Sequence, residues 1–164
     1  MADYIPLGRS EKMPRSLWLA PLSVVLGSMM TLLPVIATVP FLPPFGLMML
    51  LGWRLVRGDA MKVWMPVPLG FFDDMLSGQP LGSAMLLWSA ASLMVDVLDT
   101  RLVWRDFWQD WLIASGAIAF VLIAGRLIAS PFAAHVDTAL LVQIVVAAAL
   151  FPFLARFCAW RSEE

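Results

Sequence analysis

The 164-residue chain has one cysteine, one histidine and one tyrosine, and only 14% of its residues are charged. A single cysteine, Cys158, excludes an internal disulfide framework and a thiolate metal cluster. The single histidine, His135, lies in a turn-like stretch beside Asp137, with Ser130 and Thr138 near it, and no second ligand sits at metal-binding spacing. No metal and no cofactor is expected. Soluble domains carry about 25% charged residues, so the low charge argues against a water-facing surface. The net charge of −1 suggests neither nucleic acid nor a polyanionic substrate as partner. Also missing are a nucleophile with a base beside it, a phosphate-cradling glycine loop and a His-Glu-x-x-His pair. No enzyme is visible in the sequence.

What fills the chain is apolar: 61% of the residues are hydrophobic, with eight Trp and eleven Met. A membrane-spanning helix needs about 20 mostly apolar residues, and six stretches qualify or nearly do: 17–38, 41–55, 63–76, 81–98, 111–129 and 138–157. The expected fold is an all-α integral membrane protein, a single membrane domain over residues 1–164 built as a six-helix transmembrane bundle. Residues 1–16, polar and carrying Arg9, Lys12 and Arg15, read as a short cytoplasmic arm rather than a signal peptide, because the apolar run after them is long and holds Pro21 and Pro34.

The third stretch, broken by Pro66, Pro68 and Gly70, has a re-entrant loop as its rival. The charges decide between them. Basic residues cluster in the arm, in the link after stretch two (Arg54, Arg57, Lys62), in the link after stretch four (Arg101, Arg105) and in the tail (Arg156, Arg161). Six full spans put all four clusters on one side, with both termini in the cytoplasm, as the positive-inside rule asks. Tryptophans at the same level (Trp18, Trp53, Trp64, Trp104, Trp108, Trp111, Trp160) read as an interfacial belt, and Trp88 alone falls mid-helix. Residues 99–110, where charges alternate with indoles, suggest an amphipathic interfacial segment: an ordinary solvated link or a docking surface for a cytoplasmic partner.

Two acids, Asp73 and Asp74, lie inside the third stretch, where an ionised carboxylate costs roughly 2.5–3.5 kcal/mol at the bilayer centre. Adjacent helical residues point about 100° apart, so the two cannot flank one bond together. Asp74 has two candidate partners: free backbone donors in the turn at Ser77-Gly78-Gln79-Pro80, or Arg126 of stretch five in an intramembrane ion pair. The rise per residue puts Asp74 about 16 Å from Val63 and Arg126 about 22 Å from Trp111, a difference that a flexible arginine spans; snorkelling to the headgroups is its alternative. Ser23, Gly27 and Thr31 form a small-residue stripe suited to close helix packing, within the chain or against a partner.

The string Gly70-Phe-Phe-Asp-Asp74-Met-Leu-Ser77-Gly78-Gln-Pro-Leu81-Gly82, with Pro44 opening stretch two, Trp53 near its end and a basic link before the motif, resembles the bacterial rod shape-determining protein MreD family. Asp73 is an extra acid beside the family's aspartate. The resemblance implies a non-enzymatic, multi-pass protein of the bacterial cytoplasmic (inner) membrane that maintains rod shape. It implies binding to an MreC-like protein and, indirectly, to the MreB cytoskeleton, the glycan polymerase RodA and a class B penicillin-binding protein, in support of peptidoglycan synthesis along the lateral wall. The family is also similar in fold to the substrate-binding subunits of energy-coupling-factor transporters. The alternative is therefore a small-molecule-binding membrane subunit of a vitamin-type transporter, which needs a pocket with convergent polar groups.

Overall fold

The computed structural model describes residues 16–32, 43–58, 61–78, 80–101, 107–129 and 138–162. These form six α-helices, with no strand among the described residues: α1 (Ser16–Met29, extended by a 3₁₀ turn, Met30–Leu32), α2 (Phe45–Val56), α3 (Pro66–Ser77), α4 (Ser83–Arg101), α5 (Phe107–Ala129) and α6 (Thr138–Ser162). Each overlaps one of the six apolar stretches; residues 33–38 of the first and 41–42 of the second lie outside the described residues, and elsewhere the differences fall at the ends. The largest concerns the link read over 99–110. α4 runs through Arg101 and α5 starts at Phe107, so both ends of that link are helix and only 102–106 lie between, outside the described residues. Trp108 and Trp111, one turn apart on α5, meet edge to face with ring centroids 5.7 Å apart.

α4, α5 and α6 are long and apolar enough to cross a membrane, while α1 and α2 are shorter apolar helices. α3, with 12 residues, is about 18 Å long by its rise. α2 is the centre: Gly46 to Leu55 are all buried, the pattern of a helix apolar on every side. α1, α4, α5 and α6 pack on it, and α1–α3, α3–α4, α4–α5 and α5–α6 touch in turn around it.

The outer helices have two apolar faces that differ in size. On α5 the inward residues are Ala114, Ala117, Ile118 and Val121, at helical spacing, whereas Leu112, Phe120, Ile123 and Leu127 point outward. On α1, Ala20, Val24, Gly27 and Ser28 are buried while Trp18, Leu22, Leu26 and Met29 are exposed. Large apolar side chains spread over the outside would cost free energy in water and suit a lipid-facing surface. Small residues on the inside let backbones approach. At Gly27 a Cβ would come within 3.0 Å of the α2 backbone at Phe45 and Gly46, and at Gly46 one would meet the Ser28 hydroxyl. Of the small-residue stripe, Ser23 and Gly27 thus pack inside the chain; the side chain of Thr31 is outside the described residues. Gly116 of α5 faces open space instead.

Two tryptophans assigned to the belt bond across helices, and one of them is buried. Trp53 is 1% exposed, and its indole N–H donates to the Ser23 hydroxyl at 2.8 Å, which in turn donates to the Ala20 carbonyl at 2.7 Å. Trp111 donates to the Ala148 carbonyl of α6 at 2.8 Å. Both indoles tie one helix to another, and for the buried Trp53 the bond supplies the acceptor that its N–H needs. Trp18, Trp64, Trp108 and Trp160 are exposed. Residues 1–15, Gln79, Trp104, Arg105, Ser130, His135 and Asp137 lie outside the described residues.

Candidate functional site at the turn from α3 to α4

α3 ends and α4 begins within six residues, and the turn uses the glycines of the 70–82 motif. Gly78 closes α3 in the left-handed region (φ 66°), and Gly82, just before α4, has φ 97°. Glycine adopts both without a Cβ clash. Gly70 has a different task. A Cβ there would stand 2.7 Å from the Met85 Cα and 2.8 Å from the Ala84 carbonyl, so α3 rests its bare backbone on the first turn of α4.

One helical turn after this contact, Asp74 reaches the same place. Its Oδ1 accepts the Ala84 N–H at 2.8 Å and the Ser83 hydroxyl at 3.0 Å; its Oδ2 accepts the Gly82 N–H at 2.9 Å and the Met85 N–H at 3.3 Å. A helix leaves its first N–H groups without partners, and here a carboxylate from the preceding helix satisfies them, where the positive end of the helix dipole favours negative charge. Asp74 is 1% exposed. Four donors on two oxygens offset the cost of burying it. Ser77 and Leu81, also in the motif, are exposed, and neither bonds to Asp74.

Arg126 is not among the groups that bond to Asp74. It lines a neighbouring cavity together with Asp73, Ser77 and Gln143, whereas Asp74 is absent from that wall. The adjacent acids point apart: Asp74 into the turn, Asp73 toward Ser28 of α1 and the cavity.

A second polar centre lies at the other end of α4, about 20 Å along the helix from Ser83 to Asp96 by its rise. Arg54, in the last turn of α2 and 7% exposed, donates from Nε to Asp96 Oδ1 at 2.7 Å, from Nη2 to Asp96 Oδ2, and from Nη1 to the Met61 carbonyl at 2.7 Å. This bidentate fork joins α2, α4 and the segment before α3. The sequence placed Arg54 in the basic link after stretch two, and Asp96 was passed over. The signal was present: an acid and a base inside apolar stretches, each near the end assigned to the cytoplasmic side. Hydroxyls elsewhere in the apolar helices bond to the preceding turn, Ser89 to the Met85 carbonyl and Ser115 to the Trp111 carbonyl, both at 2.7 Å.

Comparison with known families matches the rod shape-determining protein MreD over residues 14–161, which takes in the whole turn and all six helices except Ser162. The chain belongs to the MreD family. MreD proteins are membrane proteins of rod-shape determination, structural in role rather than known enzymes, and this chain takes a role in rod shape with them. No curated protein and no solved structure matches the chain. In this MreD-family member the motif residues Gly70, Asp74, Gly78 and Gly82 form one device that fastens α3 to α4.

Proposed function

We propose that this MreD-family chain is a non-enzymatic scaffold of the cell-elongation machinery in the bacterial cytoplasmic membrane. It crosses the membrane six times with both termini in the cytoplasm and binds an MreC-like protein. Through that protein it supports lateral-wall peptidoglycan synthesis by RodA and a class B penicillin-binding protein, in register with MreB. The observation that carries this reading is the family match over 14–161. The one-sided basic clusters support the topology. The polar groups of Asp74, Arg54, Asp96, Ser23 and Trp53 are all engaged in holding helices together, which supports a structural role.

Depletion of the protein in a rod-shaped host tests it: cells should become round and wide, and an MreC-like protein should co-purify after mild detergent extraction. Normal cylindrical growth after depletion would refute it. The transporter-subunit alternative draws support from the cavity beside Asp73 and predicts the converse, unchanged shape with loss of uptake of a small nutrient.

A further inference from the structure

Pro152 lies inside α6, where its missing N–H leaves the Ala148 carbonyl without a helical donor. The Trp111 indole of α5 takes that carbonyl at 2.8 Å. Proline and indole both line a cavity of about 360 Å³ between the end of α2 (Leu55, Val56), the start of α5 and the last turns of α6. Its inner wall includes the buried Phe151, whereas Phe107, Phe153 and Arg156 are exposed, so the cavity opens on the outer surface of the bundle. The wall is apolar but for two charges, Asp110 and Arg156. Asp110 stands in the first turn of α5, where the helix dipole favours its charge, and already has a partner. Arg156 takes part in no ion pair among the described residues.

Exposed indoles mark the depth. Trp108 and Trp160 stand at this end of α5 and α6 and face outward, and indoles prefer the headgroup level. Phe151 lies about 13 Å from Trp160 along α6 by the helical rise, so the cavity runs from the headgroups into the hydrocarbon. Water there would need two to four polar partners, which an apolar wall does not supply, and an empty cavity would forfeit dispersion contacts along its lining. A chain from the surrounding bilayer restores those contacts and asks for no polar partner. We propose that the cavity holds one acyl chain of a glycerophospholipid whose phosphate is bonded to Arg156. The guanidinium suits phosphate because its planar donors pair with two oxygens at once. Arg156, one helical turn before Trp160, reaches the headgroup level by extending its long side chain along the helix. The proposal rests on the membrane setting of the family and not on the rod-shape role, so the failure of either leaves the other standing.

The full chain, purified in dodecyl maltoside and stripped of lipid, is titrated with dioleoyl phosphatidylglycerol and read by native mass spectrometry. One tightly held lipid per chain is expected. Dioleoylglycerol, which has the same chains and no phosphate, should bind roughly tenfold more weakly, and so should phosphatidylglycerol to Arg156→Gln, as loss of a charge-assisted hydrogen bond implies. Arg101→Gln removes an exposed charge at the same end of the bundle but off the cavity wall, and should leave binding unchanged. Val56→Phe and Ala159→Leu add bulk at the wall with Arg156 kept, and each should weaken binding by a similar factor. Phosphatidylglycerol carrying a diazirine in mid-chain, in vesicles of phosphatidylcholine, should crosslink to residues 107–111 and 151–159. The crosslink and Arg156→Gln decide the matter even where a bulky variant does not fold. The proposal is overturned if phosphatidylglycerol is not retained, if dioleoylglycerol binds as tightly, or if the crosslink maps to another part of the chain. Undiminished binding by folded Arg156→Gln, or by both folded bulky variants, overturns it as well. So does a dimer in the native spectra that the bulky variants abolish, which would give the cavity to a second copy of the chain.

Discussion

Asp74 and Ala84, ten residues apart, are joined by a 2.8 Å hydrogen bond from the Ala84 backbone to the Asp74 carboxylate, and this bond lies where α3 presses its glycine face on α4. The helix is capped from its neighbour rather than from its own N-cap residue. Fixing the cap therefore also fixes the packing of the pair.

The first prediction concerns that cap. An asparagine amide has one acceptor oxygen where the carboxylate has two, and its NH₂ would face N–H donors. Asp74→Asn should therefore lose part of the stability, about 1–2 kcal/mol, and Asp74→Ala more, since buried donors left unpaired cost about 1–3 kcal/mol each. Thermal midpoints of the purified variants should fall in the order Asp, Asn, Ala. Asn matching Asp would show that one oxygen suffices; Ala matching Asp would remove the cap from the account.

Gly70→Ala tests the contact beneath the cap. A Cβ at 2.7–2.8 Å from the α4 backbone forces the helices apart, and overpacking of this kind costs about 1–3 kcal/mol. Gly116→Ala, where nothing lies within 4 Å, is the matched control and should be neutral or slightly stabilising, because alanine is the better helix former. Equal midpoints for the two variants would refute the close packing.

For the fork at the other end of α4, removal of one partner should be worse than removal of both. Arg54→Met leaves Asp96 without its guanidinium, and Asp96→Leu strands a buried arginine; single losses of buried pairs cost about 3–5 kcal/mol. The Asp96 side chain is 32% exposed, so the low end applies. Arg54→Met with Asp96→Leu together should recover much of the loss in a double-mutant cycle. Strict additivity of the two single effects would count against the pair.

Topology gives a fourth test. In a Cys158→Ala background, cysteines placed at Arg57 and Arg105 should resist an impermeant thiol reagent applied to intact spheroplasts. Cys158 is buried, its sulfur lying 3.2 Å from where a Gly52 Cβ would stand, so alanine there should leave the fold intact. Labelling at either position from outside would break the six-span arrangement.

Chain order and composition determined a good deal by themselves. Apolar runs of helical length, separated by Pro, Gly and charge, can satisfy their backbone only as helices in lipid, so all six helices were legible, with errors confined to their ends. The 70–82 motif was legible as a unit through its resemblance to the MreD family, and within it Ser77-Gly78-Gln79-Pro80 was legible as a turn. The direction of each polar side chain was not, since partners distant in the chain are chosen by how the helices rotate against one another. Asp74 had two partners open to it on sequence alone, and the packing at Gly70 brings it to the start of α4, whose donors take both its oxygens. Trp53 had the position of a belt residue yet faces Ser23, because α2 is enclosed on all sides. Arg54 finds Asp96 for the same reason: a charge on a central helix has no water to reach, so the tertiary structure must bring its counter-charge to it.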